Sequence, residues 1–342
     1  MPIKNTAPAD PSDADSVARL PTATGIAALV CSMIAVTAAH SAPATPAHDS
    51  TTSAAALHSR PSIPATSFDA GMIHVDKYGS GKRVIVLIPG MACGPWVWFE
   101  TIDRFAPHST IYALTLPGFN GRPSSSKRPL FASFARDFWA MLSAQNITMP
   151  IVIGHSLGGT LAIALAEEHP ERLAAIVAID GLPVFPTLAY AAPGERSAVA
   201  SRYSSAYGSI DSTRKLASEE AYMGTVGTIR PELVGPTAQL EANSDMKAAA
   251  AWMYEDLTAD LRPDLFRISI PFLEIMPYNP DDARPPMNYT QEQTLSFYRS
   301  LVAGAPRASV VAIAPSRHFV MLDRPAVFAD QIERFIVSVG EP

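Results

Sequence analysis

The stretch Gly154-His155-Ser156-Leu157-Gly158 constrains this chain more than any other, because of what flanks it. The apolar run Ile151-Val152-Ile153 comes before, and Gly159 followed by an Ala/Leu-rich stretch comes after. The first reads as a buried β-strand and the second as a helix that opens at Leu157. A serine in so sharp a strand-to-helix turn brings the neighbouring backbones into contact, so the positions two before and two after must lack bulk. Gly154 and Gly158 meet that requirement. Such a turn lifts the Ser156 hydroxyl above a sheet edge, while the first N–H groups of the helix point at whatever binds beside it. The five-residue pattern is weak alone and gains its force from the strand before and the helix after.

Strand and helix segments alternate along the chain from residue 67 onward. Met72–Tyr78 alternates weakly and ends at Gly79-Ser80-Gly81, which reads as a hairpin turn. Val84–Ile88 is a continuous apolar run of the kind buried on both faces of a parallel sheet, and Ile111–Leu114 is a further short strand. Phe131, Phe134, Ala135, Phe138, Trp139 and Leu142 recur at helical spacing and form one apolar face that reads as core. The strand Leu173–Ile179 ends in Asp180. Residues 182–262 then hold helical stretches without a clear strand, and alternation resumes with strand Phe272–Met276, a helix near 291–302, strand Ser309–Ile313 and a helix near 326–337. This order predicts an α/β fold with a doubly wound, mostly parallel sheet. The strandless stretch is a helical cap inserted between the sixth and seventh strands, where it could cover Ser156.

Composition narrows the partners. Hydrophobic residues make up 48% of the 342 and charged residues 17%, which fits a globular protein with a large core. The formal net charge is −6 and no Lys/Arg run occurs, so neither nucleic acid nor an anionic membrane surface is expected as a partner. Residues 26–39 are apolar but short for a membrane span, follow Arg19 and precede small residues, which resembles a secretory signal peptide cleaved near Ala39 or Ala42. An uncleaved anchor is the alternative for residues 1–42, and the acidic positions Asp10, Asp13 and Asp15 also fit a start codon placed too early. Residues 43–66 read as an Ala/Pro/Ser/Thr linker, with the folded domain spanning 67–342. The expected location is therefore periplasmic or secreted, with membrane attachment only through residues 26–39. After cleavage only Cys93 would remain, which excludes an intramolecular disulfide.

With these elements in order, residues 68–340 resemble the α/β-hydrolase fold with a helical cap. The resemblance rests on Val84-Ile85-Val86-Leu87-Ile88-Pro89-Gly90, Leu114-Thr115-Leu116-Pro117-Gly118-Phe119-Asn120-Gly121, Gly154–Gly159 as a nucleophile elbow, and Arg317-His318-Phe319-Val320-Met321-Leu322-Asp323-Arg324-Pro325. It implies a cofactor-independent serine hydrolase, with Ser156 as nucleophile and His318, after the last strand, as its general base. His155 would pack beneath the turn, and His169 would suit a helix C-terminus. The acid that orients the base is either Asp180, at the end of its strand, or Asp281 or Asp282 in the loop after the next one. Asp180 is favoured because rigid structure would hold it at the correct edge.

The resemblance also assigns an oxyanion hole to the backbone N–H groups of Leu157 and Met91, although Pro89 stands where relatives carry histidine. Cys93, Trp96 and Trp98 either line the substrate pocket or plug the core. The cap residues Tyr190, Tyr203, Tyr207, Tyr222, Met223, Trp252, Met253 and Tyr254 suggest a small-molecule substrate with a hydrophobic acyl or aryl group, unless they only pack helices. A carboxylic ester, thioester or lactone is the expected target; aminopeptidase, carbon–carbon hydrolase, perhydrolase or plain binding roles share the scaffold. No metal-ligand spacing, phosphate loop or dinucleotide fingerprint is present, so no cofactor or metal is expected.

Overall fold

The computed structural model describes residues 64, 66–283 and 289–340; the apolar run at 26–39 and most of the linker read over 43–66 lie outside them, and the linker's last residue, Thr66, opens the first strand. Eight strands form one sheet: β1 (Thr66–Ala70), β2 (Ile73–Tyr78), β3 (Arg83–Ile88), β4 (Ser109–Thr115), β5 (Ile151–His155), β6 (Ala175–Ile179), β7 (Phe272–Pro277) and β8 (Ala308–Ile313). Their spatial order is β1-β2-β4-β3-β5-β6-β7-β8. β2 runs antiparallel to β1 and β4, and every pairing from β4 to β8 is parallel. The hairpin expected at Gly79–Gly81 is corrected here. β2 and β3 are not neighbours, because β4 lies between them; the hairpin is instead β1–β2, turning at Gly71 with φ 62°.

Side chains alternate across each strand, and the two faces build two cores. Val86 and Ile88 of β3 join Val152 of β5 on one face. They pack against α2 (Leu130–Ala144), α3 (Leu157–Glu168) and α8 (Gln291–Val302). Ile85 and Leu87 join Ile151 and Ile153 on the other face, against α1 (Phe99–Phe105), the short α9 (Val320–Asp323) and α10 (Pro325–Val339). Helices on both faces explain why these strands read as continuous apolar runs rather than alternating ones.

Four helices are inserted between β6 and β7: α4 (Pro193–Gly208), α5 (Ser212–Tyr222), α6 (Pro231–Glu241) and α7 (Met246–Thr258). Asp211 and Asp245 cap α5 and α7 by accepting from backbone N–H groups of the first turn. A single π-helical turn, Met223–Gly227, separates α5 from α6. Two of the insertion's ties to the body lie next to the rim of the sheet. Ser244 Oγ donates to the Ala92 carbonyl (2.7 Å), and the backbone N–H groups of His318 and Phe319 donate to the carbonyls of Val226 and Gly227.

Candidate functional site

Register brings the site together. β5 pairs with β6 so that His155 lies opposite Ile179, which puts the next residues, Ser156 and Asp180, side by side at the carboxyl rim of the sheet. The Ser156 N–H donates to the Ile179 carbonyl at 2.8 Å and continues the ladder into the turn. Ser156 itself has φ 54° and ψ −123°, a conformation that costs a non-glycine residue roughly 1–3 kcal/mol. The glycines explain how the turn closes. A Cβ on Gly154 would overlap the carbonyl of Gly158, and one on Gly158 would overlap the carbonyl of Ile88. Gly159 and Gly181 pass equally closely; a Cβ on Gly159 would stand 2.8 Å from the Gly181 Cα.

Asp180, also at positive φ (49°), is held by its N–H to the Ile275 carbonyl of β7. One carboxylate oxygen lies 2.6 Å from His318 Nδ1. The other accepts from the Tyr298 hydroxyl of α8. Tyr298 is buried, and burial together with the Asp180 charge pushes its phenol pKa well above the usual value, so it stays a donor. Sequence reasoning missed Tyr298, since nothing in a helix 118 residues from Asp180 announces the contact. Behind Asp180 sits Glu274 of β7, wholly buried, whose carboxyl is pushed well up by burial and by the Asp180 charge. Both effects favour its neutral form.

The alternative acids lie elsewhere. Asp282 is ion-paired with the Arg317 guanidinium at 2.6 Å, and Asp281 sits in the same short turn, exposed. His155 packs beneath the turn as its position suggests: it is fully buried, its Nε2 lies 3.1 Å from the His318 carbonyl, and the two rings are 4.5 Å apart. Burial and the His318 charge both hold its pKa well below the ordinary value, so it remains a neutral packing residue.

Beside the turn, a Cβ on Gly90 would come within 3.3 Å of the Ser156 Cβ, so the Gly90-Met91 backbone runs directly alongside the serine. Met91 is half-buried, and Leu157 is the first residue of α3, whose leading N–H groups have no intrahelical acceptor. The residues offered as pocket lining separate. Trp98 is fully buried against Phe328, with ring centroids 6.5 Å apart. Trp96 stacks on Phe319 and is also buried, while buried Cys93 directs its thiol to Glu241 of α6.

The cap aromatics divide in the same way. Trp252 packs against Phe119, Phe131 and Phe134 in the core, and Tyr190 and Tyr254 face solvent. Tyr222 reaches the site, its ring 6.4 Å from that of His318. Asp256 of α7 was not foreseen. Burial pushes its carboxyl up to about 6, with the Thr160 hydroxyl and the His318 charge working the other way, so it stands within electrostatic reach of the imidazole. Among the described residues, no group of three or more His, Cys, Asp or Glu side chains is placed to hold a metal ion. Also among them, no helix is long and apolar enough to cross a membrane.

Comparison with known proteins agrees with this fold. Pimeloyl-[acyl-carrier protein] methyl ester esterase of Yersinia enterocolitica is 28% identical over 204 residues, 58% of this chain and 76% of that protein. Among solved structures, a thermophilic esterase from Thermogutta terrifontis superposes with a TM-score of 0.61 at 17% identity, covering 81% of this chain and 100% of that one. The enol-lactonase from Burkholderia xenovorans superposes with a TM-score of 0.58 at 18% identity, covering 78% and 96%. At such identities the superpositions speak for the fold alone. The model of the alpha/beta hydrolase family matches residues 85–331, from the middle of β3 into α10, and the chain belongs to that family.

Proposed function

We propose that the protein is a cofactor-independent serine hydrolase that cleaves a carboxylic ester, thioester or lactone through an acyl-enzyme. The observation that carries this reading is the 2.6 Å contact of Asp180 with His318 Nδ1, at the rim where the strained Ser156 turn ends β5. With Nδ1 held by a carboxylate, Nε2 is the ring nitrogen left to take the serine proton. Ser156 Oγ attacks the carbonyl carbon, and His318 accepts the hydroxyl proton and returns it to the departing alkoxide or thiolate. Water, deprotonated by the same imidazole, then releases the acid and regenerates Ser156. The backbone N–H groups of Leu157 and Met91 are the donors for the tetrahedral oxyanion.

The esterase name of the Yersinia relative supports a carboxylic ester as the bond cleaved. Met91, next to Gly90 beside Ser156, and Tyr222, whose ring is 6.4 Å from that of His318, support a hydrophobic segment next to the scissile carbonyl. The reading is tested by labelling with a fluorophosphonate and by assaying short nitrophenyl esters. Ser156→Ala should abolish both signals; equal hydrolysis by the variant would overturn it, and a folded parent that takes no label would favour a binding role instead.

We also read residues 26–39 as an export signal, which supports a periplasmic or secreted enzyme. Sequencing the N-terminus of the protein recovered from its native compartment tests this. A start beyond Ala39 is expected, and retention of the whole segment in the soluble cell fraction would overturn it.

A further inference from the structure

Above His318, where α5 and α6 meet the loop after β3, the fold buries two carboxyl groups that the reaction does not use. Glu219 of α5 is 4% exposed and Glu241 of α6 is 2% exposed. Glu219 accepts from the Tyr207 hydroxyl at 3.0 Å. Among the described residues, Glu241 receives the weak Cys93 thiol on Oε1 (3.7 Å), and its Oε2, shut away from solvent, finds no hydrogen-bond partner. Among the described residues, the cation acting on Glu219 is Lys215, which also donates to the Ser244 carbonyl.

Lys215 acts on Glu219, so with both carboxylates ionised one negative charge would stand uncompensated. Burial pushes both groups up toward the neutral acid, and the Glu219 charge adds to the effect on Glu241. Proteins rarely leave a buried carboxyl oxygen unpaired, because the group gives up its hydration and gains nothing in return. The cluster is also continuous with the site. Tyr222 feels the charges of both Glu241 and Asp180, and its half-buried ring stands 6.4 Å from that of His318.

We infer that Glu241 and Glu219 form a subsite for a protonated amine carried by the substrate, with Tyr207 and Tyr222 as its walls. A primary ammonium supplies the missing charge and the N–H donors that Glu241 Oε2 lacks. This deepens the hydrolase reading and rests on it: the substrate would be an ester whose hydrophobic segment ends in a basic nitrogen.

The test compares methyl esters of ω-amino acids of increasing chain length with methyl alkanoates of equal heavy-atom count. At the length that spans the gap, the parent protein should favour the ammonium ester about tenfold or more in kcat/KM, the size expected of one desolvated charge-assisted hydrogen bond. Glu241→Gln, which keeps the shape, should erase that ratio. Lys215→Met, which removes the competing cation, should raise it. The inference is overturned if no chain length favours the ammonium ester, or if Glu241→Gln lowers both members of a pair by the same factor.

A second readout does not depend on turnover. Hexylammonium should raise the melting temperature of the Ser156→Ala protein more than hexanol does, and Glu241→Gln should remove the difference. Equal shifts would count against the subsite whatever the fate of the hydrolase assignment. An amine-specific shift in a protein that cleaves no ester would sink that assignment while keeping the subsite.

Discussion

One carboxylate oxygen of Asp180 stands 2.6 Å from His318 Nδ1, although 138 residues separate the two in the chain. The contact exists because β6 and β8 flank β7 and all three end at the same rim. Asp180 leaves β6 in a strained turn, and His318 leaves β8 on a loop fastened to the cap through the Val226 carbonyl. Holding Nδ1 fixes the tautomer of the imidazole as well as its orientation, and an amide in place of the carboxylate would do neither reliably. Asp180→Asn is therefore expected to lower kcat by roughly 10³–10⁴-fold with KM little changed. Asp282→Asn, which weakens a partly exposed ion pair with Arg317, should stay within about twofold. Steady-state kinetics of the two variants on one ester decides between the acids, and the reverse ranking would return the role to the loop after β7.

The second oxygen of Asp180 gives a separate prediction. Tyr298 donates its phenol proton there from a buried position, and no other side-chain partner for that oxygen is seen among the described residues. Tyr298→Phe keeps the ring and removes one hydrogen bond to a charged group, worth about 1.5–3 kcal/mol. The expected effect is a fall in kcat of about ten- to a hundredfold, with substrate binding preserved. A change confined to KM, or none at all, would mean that the hydroxyl does not orient the acid.

Much of this arrangement was legible in the amino-acid order, and the reasons are physical. Ile151–Ile153 and Val84–Ile88 are buried on both faces and read as strands from their composition. Gly154 and Gly158 announced a turn that tolerates no Cβ. Asp180 was legible as a candidate acid because rigid structure at the end of its strand would hold a carboxylate at the correct edge, with Asp281 and Asp282 left open beside it. By contrast, β1 escaped notice as an edge strand whose pattern is mostly exposed, with Phe68 its one large apolar residue. The wrong hairpin followed, since a Gly-Ser-Gly turn fits any strand ending and says nothing about which strand lies alongside. The cap defeated sequence reasoning in another way. Trp252, Tyr190 and Tyr222 look alike as cap aromatics, yet one is in the core, one faces water and one reaches His318.

The glycine argument can be tested by contrast. A methyl group on Gly154 would collide with the backbone of Gly158, which cannot move without displacing Ser156. Gly154→Ala should therefore cost more than about 4 kcal/mol and lower the melting temperature by something on the order of 10 °C, or prevent folding. Gly194 opens α4 with nothing near its would-be Cβ, and Gly194→Ala should be neutral or slightly stabilising, by up to about 0.5 kcal/mol. Thermal melts of both proteins check the pair, and a tolerated alanine at 154 would mean that the turn is not as tight as described.

Asp256 makes stability depend on pH in a predictable direction. Its carboxyl titrates at 3.8 when unperturbed and is pushed up to about 6 in the fold, chiefly by burial. The folded state therefore binds this proton more tightly than the unfolded chain does. The associated stability is complete below about pH 4 and is lost as the pH rises through about 6, to a total of at most about 3 kcal/mol. Asp256→Asn carries a neutral side chain at every pH and escapes the loss. Urea midpoints measured from about pH 4 to 8 should show the variant gaining on the parent protein as the pH rises. Parallel curves would place the carboxyl in contact with water.

Cys93 reports on the closure between the cap and the body. The thiol is 1% exposed, and burial together with the Glu241 charge pushes its pKa well above the usual range. Since the thiolate is the reactive species, a native thiol so placed should resist alkylation at neutral pH. Its neighbours explain what must move for a reagent to enter. Glu241 belongs to the end of α6, and Ser244, just beyond, is bonded to the carbonyl of Ala92 in the same loop. Lifting α6 from that loop therefore exposes the sulfur and disturbs the backbone next to Met91 at once. Iodoacetamide labelling, followed by mass spectrometry, should be slow in the native protein and complete in urea. Ser244→Ala, which removes the tie, should accelerate native labelling several-fold while unfolded-state labelling is unchanged. Rapid labelling of the native parent protein would show that the cap does not rest on the loop as described.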